Sequence, residues 1–176
     1  MNFSRFQHDL EEWLNHNFPN TTSDQQLKGV MEEVKELLEA EQVFLNNPPS
    51  KENKQRVDDA VGDIIVYLCN YCNMKRIDFA KCVGSSVREQ AFCSGDVRQL
   101  MIYIGRICHA DLKWEQGIRG YDREKAMSEI EPAITGIYDT LECYCAAFST
   151  DVTDCAKVAY AEIMKRDWIK NPETGQ

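Results

Sequence analysis

The sequence predicts an all-α fold, a helical bundle in which seven amphipathic segments pack around an apolar core. Three observations lead there. Apolar residues recur at spacings of three and four along most of the chain. Glycine and proline, nine and five in 176 residues, punctuate it only sparsely. No stretch of any length shows the two-residue alternation of a strand.

The predicted helices lie at about 3–17, 24–46, 51–74, 77–91, 95–117, 122–148 and 153–169. The first is acidic and amphipathic (MNFSRFQHDLEEW). Ser23 or Asp24 is expected to cap the second, Ser50 the third and Ser94 the fifth, because short polar side chains satisfy the first free backbone N–H groups. Asn46-Asn47-Pro48-Pro49 ends the second helix. At this length the chain can bury a sizeable core as one domain. A second organisation is also open. VDDAVGDIIVYLCNYC (57–72) lies on IEPAITGIYDTLECYC (130–145) at a shift of 73, and LKGVMEEVKELLEA (27–40) on VRQLMIYIGRICHA (97–110) at a shift of 70. On that reading 1–93 is an active half and 94–176 a degenerate, supporting half.

Composition narrows the function. A net charge of -9 and a pI near 4.9 argue against a broad nucleic-acid surface, which needs clustered Lys and Arg. No apolar run approaches the roughly 20 residues of a membrane span, and the N-terminus is unlike a signal peptide, so no membrane partner and a cytosolic location are expected. Eight cysteines lie within apolar helical stretches, where reduced thiols behave as small hydrophobes. The alternative, a zinc site at Cys69-x-x-Cys72 or Cys143-x-Cys145, suits a continuous helix poorly.

The chemistry concentrates on the second and third helices. Leu27, Val30, Met31, Val34, Leu37 and Leu38 form an apolar stripe, with Glu33 and Glu36 one turn apart beside it and Glu32 further out. From Ala60 to Cys69 nearly every residue except Asp63 is apolar. Asp63, and Asp59 one turn earlier, are therefore expected to face another helix, where an unpartnered carboxylate is costly. Converging carboxylates repel by about 4 kcal/mol per pair at 4 Å and an effective dielectric near 20. A cation is expected among them. No His lies in these segments, so an all-oxygen site for Mg²⁺, with Mn²⁺ as a substitute, fits better than zinc or a Glu-x-x-His di-iron site. Mg²⁺ held in this way completes its shell with water and substrate phosphates, which points to a nucleoside triphosphate. The opposing reading of EExxE alone is a solvated helix face.

GVMEEVKELLEA, DDAVGDIIVYL and the closing AYAEIMKRDWIKNPETG together resemble the all-α nucleoside triphosphate pyrophosphohydrolases, the MazG-like superfamily that includes the dimeric dUTPases and dCTP pyrophosphatases, phage-type members above all. The resemblance implies Mg²⁺ ligation by Glu33, Glu36 and Asp63. Where the family has an acid three residues before Asp63 this chain has Ala60, and Asp59 takes that role; Ala161 stands where many relatives carry Asn. It further implies attack of water on the α-phosphate, releasing a nucleoside monophosphate and pyrophosphate, with Glu32 or Glu33 accepting the proton. Lys165, Arg166 and Arg119 are candidate phosphate contacts, or else ordinary solvated charges. Trp13, Gln25 and Gln26 are candidate base contacts. A homodimer or higher oligomer is expected. The rival functions are a catalytically weak nucleotide or metal sensor and a plain helical interaction protein.

Overall fold

The computed structural model describes residues 1–46, 50–84 and 96–176. Over these it is all-helical: α1 (Phe3–Asn17), α2 (Ser23–Asn46), α3 (Lys51–Lys75), α4 (Phe79–Gly84), α5 (Val97–Glu115), α6 (Arg123–Ala147) and α7 (Val152–Ile163). Each start has a local cause. Asn2, Ser50, Asp96, Asp122 and Asp151 accept from the backbone N–H groups that α1, α3, α5, α6 and α7 leave free in their first turns. Helix α2 begins at Ser23, one residue before its expected start, so its cap is Thr22 rather than Ser23 or Asp24. Thr22 Oγ1 accepts from Gln25 N at 3.3 Å while Gln25 Oε1 accepts from Thr22 N at 2.9 Å, a reciprocal capping box that outcompetes Ser23 and Asp24. Ser94, residues 47–49 and the 85–91 part of the expected fourth helix lie outside the described residues.

The chain divides into two compact units, Met1–Ala80 with Thr150–Gln176, and Lys81–Ser149. These do not coincide with halves 1–93 and 94–176, because α7 belongs with α3. In the first unit α3 is the central element, packed by α1, α2 and α7. Its run Ala60–Val66 is buried apart from Asp63, as its composition requires. Gly62 makes the α7 contact possible: a Cβ there would lie 2.7 Å from the backbone oxygen of Cys155 and 2.9 Å from Ala159 Cβ. On α2 the buried stripe is Leu27, Val30, Val34 and Leu37, but Met31 is 40% exposed and Leu38 half-buried. The stripe is narrower than expected. Gln26, Gly29 and Ala40 take the remaining buried places.

In the second unit α5 packs on α6 through Leu100, Ile104 and Ile107 and through Ile130, Ile134 and Ile137. Tyr103 lies against Gly136 so closely that a Cβ on the glycine would strike its ring. Under shifts of 70 and 73, Tyr103 falls on Glu33 and Gly136 on Asp63. Where the first hairpin carries acids, the second carries a ring in a notch.

Helix α7 ends at Ile163 rather than near 169. Residues 164–166 make short turn bonds and the chain then folds back, with Asp167 N donating to Gly175 O and Trp168 N to Asn17 Oδ1, both at 2.7 Å. Tertiary bonds override the helical pattern there. Cys69, Cys72, Cys82, Cys145 and Cys155 are buried, and burial pushes the Cys69 thiol up strongly. Cys108 is exposed, and Cys143 is disulfide-bonded. The expectation of eight buried reduced thiols fails at those two. Sequence spacing does not reveal which Cα atoms approach within the roughly 7 Å that a disulfide needs.

Gly62→Ala is expected to destabilise the protein by about 1–3 kcal/mol, because the atom it meets is backbone and cannot rotate away. Urea unfolding checks this, and an unchanged midpoint would mean that α7 does not sit so tightly on α3.

Candidate functional site

The first unit contains a pocket of about 660 Å³. Four segments build it. Helix α1 contributes Trp13 and Leu14, and the loop after it contributes Phe18 to Thr21. Gln25, Gln26 and Glu33 come from α2, with Gln26 and Glu33 two turns apart on one face. Asp63, Val66, Tyr67 and Asn70 come from α3 at spacings of three, four and seven, and Ile163, Arg166 and Trp168 come from α7 and the tail. The lining thus joins a carboxylate from each of two helices, an arginine and several aromatic rings.

Position determines the electrostatics. Glu33 is half-buried, and its carboxyl is pushed up to about 8, first by burial and then by Asp63, Glu36 and Glu32. Burial likewise raises Asp63 to about 6, with Asp59 and Glu36 adding to the effect and Arg166 opposing it. The Arg166 guanidinium is therefore the cation closest in effect to Asp63. Tyr67 is also raised, by burial and then by Glu33, Asp63 and Glu32, so its phenol keeps its proton at neutral pH. The ring lies on α2 where Gly29 leaves no side chain, and a Cβ at Gly29 would overlap it.

Not every expected residue joins this group. Glu32 and Glu36 are exposed and outside the lining, although both contribute to the potential at Glu33. Asp59 is exposed rather than turned to a neighbouring helix, and burial and Asp58 raise it. Ala60 is buried, so moving the acid by one position carries it from the covered to the open side of α3. Among the described residues, Glu33, Glu36, Asp59 and Asp63 form no three-carboxylate group with all ligand oxygens within 4.8 Å of one another. Lys165 is exposed and bonded to Glu162 at 2.7 Å. Arg119 belongs to the second unit, in the turn after α5, with φ of 57° and its carbonyl accepting from Lys125 Nζ. Ala161 is exposed and outside the pocket.

Trp13, Gln25 and Gln26 do line the pocket, and Trp13 also has a second task. Its Nε1 donates to Arg166 O at 3.1 Å, so the indole holds the tail against α1 while its ring forms a wall. Phe18 packs edge-on to Trp13, with ring centroids 5.7 Å apart. Tyr67 and Asn70 are pocket residues that the sequence does not single out, and Trp168 belongs to the closing segment that carries the family resemblance. Tyr67 and Asn70 were traceable in principle, since they follow Asp63 by four and seven residues in an apolar helix.

No family model matches the chain, and no curated protein or solved structure matches it.

The raised carboxyls fix the sign of a pH effect. Between their ordinary values of 4.5 and 3.8 and their folded values, the folded chain holds protons that the unfolded chain has released. Stability from this pair is therefore lost as pH rises from about 5 to 8. Discounted for the water that reaches half-buried groups, the loss is roughly 1–2 kcal/mol. Without added metal, Glu33→Gln is expected to flatten the fall in Tm between pH 5 and 8; a slope equal to that of the parent would show that Glu33 is not held protonated.

Proposed function

We propose that the protein is a Mg²⁺-dependent nucleoside triphosphate pyrophosphohydrolase, converting a nucleoside triphosphate and water to the monophosphate and pyrophosphate, with a role in nucleotide pool control. The observation that carries this reading is the placement of Glu33 and Asp63, from separate helices, in one pocket with Arg166 and the rings of Trp13, Phe18 and Trp168. Its volume suits a nucleotide-sized ligand. The likeness of the α2 and α3 motifs to the MazG-like enzymes supports the same reading.

The donor set fits the ion. Two half-buried carboxylates without a histidine offer hard oxygen ligands, and their raised proton affinity marks a place where added positive charge is favourable. When bound, Mg²⁺ supplies charge neutralisation on the phosphates and acidifies a water. Glu33 and Asp63 would hold it, with Glu36 and Asp59 reaching in from the open side. Arg166 would pair with phosphate oxygens through its guanidinium fork. Glu33 is the better placed of the two candidate bases, because Glu32 lies outside the pocket. Trp13, Phe18 and Trp168 would exclude water from the base.

A second reading, nucleotide binding with little turnover, is favoured by one observation: Glu36 and Asp59 are exposed and outside the lining. One assay separates the two. With Mg²⁺ and each deoxynucleoside triphosphate, pyrophosphate release is expected from the parent protein, and Asp63→Asn is expected to lower kcat by about a hundredfold or more. Saturable binding without release supports the second reading, and neither binding nor release would end both.

Mg²⁺ must displace the protons that the pair holds, so its affinity is expected to rise with pH between about 6 and 8. Titration calorimetry at pH 7 in buffers of different ionisation enthalpy checks this by counting released protons. A value near zero would place the ion elsewhere.

A further inference from the structure

Two buried polar atoms in the pocket are left without a use by the chemistry above. Gln26 is 4% exposed and Asn70 is 2% exposed, and both line the pocket. Among the described residues, neither Gln26 Oε1 nor Asn70 Oδ1 has a hydrogen-bond partner. Buried carbonyl oxygens of this kind are normally paired, since leaving one bare costs about as much as losing a hydrogen bond.

The direction of the Gln26 amide follows from its neighbours. The backbone N–H of Thr22 can only donate, so the Gln25 atom that it meets at 2.9 Å is the oxygen. That oxygen carries no hydrogen, so the Thr21 hydroxyl, also 2.9 Å away, spends its single proton there. Thr21 Oγ1 must then accept from Gln26, 2.9 Å away, and the atom facing it is Nε2. The Gln26 carbonyl oxygen is therefore the end left over. The capping box that starts α2 thus sets an acceptor in the pocket wall, and no amide rotation can turn it into a donor.

Asn70 stands two turns beyond Asp63 on the same face of α3 as Tyr67, which lies between them. The pocket therefore runs from carboxylates and Arg166 at Asp63 to amides at Asn70 and Gln26, with Trp13, Phe18, Tyr67 and Trp168 among its walls. Aromatic faces with fixed amide groups suit a flat heterocycle whose edge carries an N–H group.

We propose that Gln26 and Asn70 are the specificity-determining residues of this pocket, accepting hydrogen bonds from N–H groups on the edge of a nucleobase and so selecting among nucleotides by base. This rests on the nucleotide reading given above. It assigns the selection of the base to α2 and α3 and leaves the phosphates to Glu33, Asp63 and Arg166.

The test uses the full chain, Mg²⁺ and the α,β-imido analogues of the four deoxynucleoside triphosphates, which bind without being cleaved. The parent protein is expected to bind one or two of them at least tenfold more tightly than the rest. Methylating the edge N–H of the preferred base should weaken binding by roughly tenfold to a hundredfold. Gln26→Leu and Asn70→Leu should erase the preference while leaving inorganic tripolyphosphate binding unchanged. Asn70→Asp, which keeps the shape and an accepting oxygen, guards against misfolding of the leucine variants and should retain the preference. Equal binding of all four analogues, no binding of any, or a preference that survives the leucine variants would overturn the assignment. Pyrophosphate release from the natural triphosphates, measured on the same samples, separates the two failures. Release with an unmoved preference sinks this inference alone, whereas a preference lost in the leucine variants without any release sinks the hydrolase reading alone.

Discussion

Helix α3 is enclosed by α1, α2 and α7, and this enclosure is the constraint from which the rest of the first unit follows. A helix covered on so many sides has little room for polar groups unless they share a common hollow. Asp63, Tyr67 and Asn70 share one, along a single line of the helix. The close approach that covers α3 is itself a matter of missing side chains. Gly62 admits the backbone of α7, and Gly29 on α2 admits the Tyr67 ring. The same absence of Cβ atoms therefore sets both the packing and the shape of the cavity wall.

Much of this was legible in the sequence because it depends on period and burial. The acids beside the α2 stripe and the lone acid in the α3 run mark Glu33 and Asp63 by position, and both line the pocket. What angle alone left open was depth. Glu36 is one turn from Glu33 and Asp59 is one turn from Asp63, yet each lies on the exposed side. A few tens of degrees around a helix decide whether a carboxylate meets protein or water. The tail was illegible for another reason, since its course is set by bonds to Asn17 and Trp13, some 150 residues away in sequence.

The second unit offers a contrast within one chain. Its α5–α6 hairpin also places a tyrosine ring on a glycine, but here the ring is on the first helix and the notch on the second. In the register of the sequence comparison, Tyr103 and Gly136 occupy the places of Glu33 and Asp63. At the places where one hairpin has two acids that repel, the other has a ring and a gap that fit, so these positions contribute cohesion there.

The route of the chain through the first unit has a consequence for its biogenesis. Residues 81–149 form a separate compact unit inserted between α3 and α7, so the two acids and the arginine that tempers Asp63 are separated by about a hundred residues of synthesis. During translation the α2–α3 hairpin would exist for several seconds with its carboxylates facing a half-open groove. The tail then closes that groove against α1, and because this contact spans nearly the whole chain its loop-closure entropy makes it a late event. The complete pocket thus exists only once the segment after α7 has been made, and a shorter ribosome-bound fragment that looks helical would still lack it.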